Sequence, residues 1–184
     1  MGTTAAPPPI QQESRRGELM TRLFFDLQIA RFNELYYQKR SAFFRKWAKR
    51  ANVVSALAAS LVLANLLTGP GTPLLGLGPL VWQILTGMAA LSAAVGPVLG
   101  LWDKASQMDR AALGHSIVKD RIRRLLVELK LSDLQDSHLD RDREIDAVRS
   151  ALSPLDEPPS EKLREICWEK TLEEFPSEKA WLMV

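Results

Sequence analysis

Residues 51–102 form a run of 52 positions without a single Asp, Glu, Lys, Arg or His. All 46 acidic and basic side chains of this 184-residue chain lie outside that run. The mean hydropathy of −0.09 therefore averages a strongly apolar segment with a very polar remainder. A bilayer core about 30 Å thick asks for roughly 20 apolar residues of helix, and a run this long, divided by Gly69, Pro70, Gly71 and Pro73, has room for two crossings. A hairpin buried in a globular core would leave the same gap. A domain of this size, however, seldom hides two helices that are apolar all round.

The resulting expectation is an all-α membrane protein: a two-helix transmembrane hairpin with long cytoplasmic helices before and after it and a small helical C-terminal region. The spans are placed at residues 51–67 and 80–101, with Trp82 and Trp102 near the ends of the second, where indole rings favour the interface. Arg40, Arg45, Lys46, Lys49 and Arg50 precede the first span, Lys104 and Arg110 follow the second, and the turn carries no basic residue. This asymmetry predicts a multi-pass protein of the bacterial inner membrane with both termini cytoplasmic. No cleavable signal peptide is expected, because residues 1–17 lack an apolar region. Cys167 is the only cysteine, which fits a reducing compartment.

Outside the gap the pattern is helical. Residues 1–17 are expected as a loose tail, and residues 18–50 as an amphipathic helix without Pro or Gly. On that helix Phe25, Ile29, Phe32, Tyr36, Phe43 and Trp47 recur at spacings of 4, 3, 4, 7 and 4. This stripe predicts a packing surface against the helix that follows the gap, or else a face lying on lipid. Residues 103–131 are expected as a coiled-coil-like helix. Their seam of Met108, Ala111, His115, Val118, Ile122, Leu125 and Leu129 steps by 3 and 4, as a pairing face does. It could pair with the N-terminal helix or with the same helix of a second copy. His115 on that seam is either a packed histidine or a pH-sensitive element.

Residues 132–184 are expected as a charged helical region, with Ser132 capping one helix and Ser160 another that carries Leu163, Ile166, Cys167 and Leu172 on its apolar side. The sequence closes on Trp181, Leu182, Met183 and Val184, an apolar terminus able to dock on a partner or on the protein itself. Asp136, His138 and Asp140 resemble a metal cluster only superficially, since alternate helical residues point about 200° apart. No phosphate loop, nucleophile elbow or zinc spacing occurs, so neither an enzyme nor a cofactor or metal is expected.

Charge names the partners. Residues 1–50 carry a net +6, residues 103–152 a net 0, and residues 153–184 a net −4. The cations that abut the gap point to a lipid bilayer and its anionic headgroups rather than to nucleic acid. Inside the gap Ser92, Gly96 and Gly100 recur every four residues as a helix-packing face, while Asn52, Ser55 and Ser60 are the pore-lining candidates.

The run from Ala30 through Asn33, Tyr36 and Tyr37 to Arg40, the hairpin, and then Trp102, Asp103, Lys104 and Ala105 through His115 to Leu129 resemble the SLATT family over about residues 20–131. Those are bacterial two-transmembrane effector domains linked to nucleotide-signalling defence systems and associated with membrane pores. The resemblance implies an oligomeric effector that forms a pore or disrupts the inner membrane in anti-phage defence or cell suicide, under a signalling or sensor partner. The alternative is a membrane-anchored adaptor or scaffold that recruits a cytoplasmic partner.

Overall fold

A computed structural model of the chain describes residues 9–68, 83, 84, 87, 90, 91, 100–152 and 160–176. Four helices have described bounds, α1 Pro9–Thr68, α2 Leu101–Leu131, α3 Asp136–Ala151 and α4 Glu161–Glu174, and residues 83, 84, 87, 90 and 91 are helical as well. α1 starts on a proline, whose missing N–H costs nothing at a first helical position. It contains one glycine, Gly17, and no further proline, so nothing in its 60 residues breaks the ladder. Residues 9–17 are therefore helical rather than part of a tail. α2 follows Gly100, which sits at φ +54°, a conformation that glycine adopts without strain.

The expected transmembrane hairpin is corrected by this architecture. Among the described residues no helix is long and apolar enough to cross a membrane. The first expected span is not a separate element but the C-terminal end of α1. Beyond Arg50 that helix has 18 residues left. Four of the 18 are Asn52, Ser55, Ser60 and Asn65. The second expected span falls for the most part outside the described residues. The all-α class stands, whereas the transmembrane helices, the membrane-protein class and the multi-pass inner-membrane location with both termini cytoplasmic are withdrawn.

The chain divides into two compact units, one of Met1–Gln38 with Met108–Val184 and the other of Lys39–Gln107. In the first unit α1 presents Met20, Leu23, Leu27 and Ala30 to Val118, Ile122, Leu125 and Leu129 of α2, with Ile145 of α3 closing the cluster. Val118, Ile122 and Leu129 are fully buried. Each such side chain contributes about 1.5–3 kcal/mol by leaving water. The predicted seam on α2 is thus a packing face, and this same chain covers it. α3 is fixed by charge as well, through pairs of Arg22 with Asp142 and of Arg149 with Asp26. Gly114 lies where a side chain would run into Leu152, so α2 and the end of α3 approach closely there.

α3 begins three residues later than Ser132 suggested, with Gln135 in the cap position. The Ser132 hydroxyl donates to the Glu128 carbonyl at 2.8 Å, finishing α2. The new helix opens at Gln135, whose N–H donates to Nδ1 of His138 at 3.1 Å. In the second unit Phe44, Ala48 and Ala105 are buried, and Arg40 and Lys104 lie over the Phe44 ring at 5.3 and 5.8 Å.

Candidate interaction surfaces

Of the stripe expected to pack α1, Phe32 and Tyr36 are half-buried against α4, whereas the other four residues face outward. Phe25, Ile29, Phe43 and Trp47 are each about half exposed. The packed face is displaced by roughly one residue and includes the small or polar Ala30, Glu34, Ser41 and Ala48, which hydrophobicity alone does not pick out.

In the first unit α4 lies against α1 with its chain direction reversed. Tyr36 Oη accepts from the Ser160 N–H at 3.3 Å, Phe32 meets Trp168 edge to face at 5.7 Å, Arg31 bonds Glu174 at 2.8 Å, and Gln28 Nε2 donates to the Phe175 carbonyl at 2.7 Å. α4 covers only part of the stripe. Between the two helices an open groove of about 860 Å³ remains, floored by Ile29, Phe32 and Trp168 and rimmed by Asn33, Glu161, Lys162, Arg164 and Glu165. An apolar floor with a rim of both charge signs suits a protein segment better than a small polar ligand.

Beneath that face lies a buried ionic cluster. Glu34, with a side chain 6% exposed, accepts from Lys119 Nζ and from Arg31 Nη1, both at 2.9 Å. Burial pushes its carboxyl up, but the hydrogen bonds from Lys119 and Arg31 outweigh that and hold it below the usual carboxylate range. His115 stacks on Tyr37 at 5.5 Å with the rings nearly parallel. Burial lowers its pKa, opposed by the charge of Glu34, so the ring is held neutral in a packed position.

In the second unit the exposed surface has a different character. Phe43, Trp47, Val54 and Leu57 fall within about 80° of α1's circumference at 100° per residue. All four are exposed, as are Arg50 within this arc and Lys46 at its edge, while Arg45 and Lys49 are exposed on other sides of the helix. The Arg50 guanidinium lies 5.6 Å from the Trp47 ring centroid. Between Glu34 and Asp103 the sequence holds six cations and no acid. The three pore-lining candidates occupy the other side of the helix: Asn52 and Ser60 are exposed, Ser55 is half-buried, and the Ser60 hydroxyl donates to the Ala56 carbonyl at 2.9 Å.

Of the predicted packing face, Ser92 and Gly96 lie outside the described residues, and Gly100 is in the turn before α2 rather than within a helix. Of the seven seam residues, Val118, Ile122, Leu125 and Leu129 join one core cluster, Met108 and His115 are buried outside it, and Ala111 is half-buried. Among the described residues no group of three or more His, Cys, Asp and Glu could hold a metal ion. Comparison with protein-family models, with curated proteins and with solved structures returned no match.

Proposed function

We propose that this protein is an adaptor that lies against anionic lipid headgroups through the second unit and holds the first unit there for a protein partner. The observation that supports it is the exposed stripe of Phe43, Trp47, Val54 and Leu57 with Lys46, Lys49 and Arg50 exposed in the same stretch, where the sequence has no acidic residue between Glu34 and Asp103. A helix of this kind rests in the interface, with aromatic and aliphatic side chains in the acyl boundary and cations among the phosphates. Asn52, Ser55 and Ser60, on the side away from the stripe, then face water. The contact is peripheral and requires no crossing.

The similarity to SLATT domains supports a role at a lipid boundary under a signalling partner. A pore, by contrast, needs crossing helices, so the adaptor arm of the expectation is the one proposed.

The test is co-sedimentation with vesicles. At about 1 kcal/mol per cation near the surface, Lys46, Lys49 and Arg50 favour anionic over neutral vesicles on the order of 10²-fold at low salt. Binding should weaken as salt rises, and Lys46→Glu with Lys49→Glu should abolish the preference. Equal binding, or none, to phosphatidylglycerol and phosphatidylcholine vesicles would overturn the proposal.

A further inference from the structure

We infer that a second copy of this chain covers the outer face of α2, the two helices running antiparallel about a two-fold axis beside position 122. This surface belongs to the first unit and is independent of the lipid contact.

Three observations carry it. Away from the packed seam α2 bears a second stripe, Leu113, Ile117, Asp120, Arg124, Val127 and Leu131, whose steps of 4, 3, 4, 3 and 4 keep it within about 80° of the circumference at 100° per residue. All six residues are exposed, Leu113 at 62% and Leu131 at 83%. Their stripe is centred about 150° from the buried Val118, Ile122, Leu125 and Leu129, so the chain's own core leaves it uncovered. Among the described residues neither Asp120 nor Arg124 has an ion-pair or hydrogen-bond partner.

The order of these residues selects the occupant. Laid antiparallel on itself, the stripe sets Leu113 against Leu131 of the second copy, Ile117 against Val127, and Asp120 against Arg124. Every apolar position then meets an apolar one, and each charge meets its opposite. Laid parallel and in register, the same stripe sets Asp120 against Asp120 and Arg124 against Arg124, two repulsive layers at its centre. A lipid surface would have to accept a carboxylate in the middle of its apolar contact. Arg121 and Arg123 flank the centre at the exposed rim and approach their own copies, which keeps the association weak.

The experiment is sedimentation equilibrium of the full-length chain from micromolar to millimolar concentration, where a monomer and dimer should exchange. Asp120→Arg sets like charge against Arg124 of the second copy and should weaken the dimer at least about tenfold, while adding Arg124→Asp should return it to within about threefold of the original. Both positions are exposed, so far-UV circular dichroism of the variants should match that of the unmodified chain. Orientation is read in a Cys167→Ser background by mixing Ile117→Cys with Val127→Cys, copper phenanthroline supplying the oxidant. The mixed disulfide should form at least about tenfold faster than either self-linked one, whose two positions stand about 15 Å apart along the antiparallel pair. A monomer throughout the range, or a dimer that Asp120→Arg leaves unchanged, would overturn the proposal. So would a double variant no tighter than Asp120→Arg alone, or self-linked disulfides that form faster than the mixed one.

Discussion

Glu34→Gln removes the one carboxylate that holds Lys119 and Arg31 together inside the first unit, and the account predicts a loss of about 3 kcal/mol. Removing one partner of a buried pair costs about 3–5 kcal/mol, because the remaining charge is left uncompensated. The lower end applies here, since the Lys119 and Arg31 side chains keep 15% and 21% of their exposure and Arg31 retains Glu174 at 2.8 Å. For a chain of this length about 3 kcal/mol corresponds to a fall in Tm of about 6–12 °C. Urea unfolding followed by far-UV circular dichroism measures it at pH 7, with Lys119→Met and the double variant completing a cycle. The coupling should lie between about 1 and 3 kcal/mol.

The pH dependence has a definite sign. Glu34 titrates below its unfolded value, so its contribution is present above about pH 4.3 and is lost as the pH falls through the lowered folded value. Glu34→Gln should flatten that acid limb while shifting the plateau downward. A cost of about 1 kcal/mol or less, as for a surface pair, would refute the reasoning.

Two further outcomes follow from the same core. Ile122→Ala, at a fully buried position, should cost about 3 kcal/mol by opening a cavity, read as a lower urea midpoint at unchanged slope. His115 titrates below its ordinary value in the fold, so its contribution is complete above about pH 6.5 and declines as the pH falls from there through the folded value. An NMR titration of the His115 ring should give a midpoint under 6.5, lower still in Glu34→Gln.

The helical class and the spacing of the apolar positions on α2 were readable in the residues because the steps of 3 and 4 run without interruption, whereas their cover by α1, far away in the sequence, was not. α4 was readable too, with Ser160 set directly before it and prolines at 158 and 159 marking its start. α1's packing face was not. Phe25, Phe43 and Trp47 belong to the most conspicuous periodic set yet lie outside, while Ala30, Glu34, Ser41 and Ala48 pack inside along with Phe24 and Phe44. Ser132 misled for a related reason, since a serine that can cap a helix can equally bond the last carbonyls of the one before it. The long uncharged run was read as two crossings because charge absence alone does not separate a crossing helix from one that is apolar on one side. At the end of α1 Asn52, Ser55 and Ser60 lie away from Val54 and Leu57, although Leu63 is exposed on the side of Asn52.

Spin labels carried singly through the sequence from position 52 to 60 of α1, in a Cys167→Ser background with anionic vesicles, test the lipid contact most directly. Collision with oxygen against a water-soluble nickel chelate reports which side of the helix meets the acyl boundary. The account predicts a 3.6-residue oscillation in which labels at Val54 and Leu57 favour oxygen and labels at Asn52 and Ser60 favour the chelate. A uniform preference for the chelate at all positions, with vesicles or without them, would contradict it.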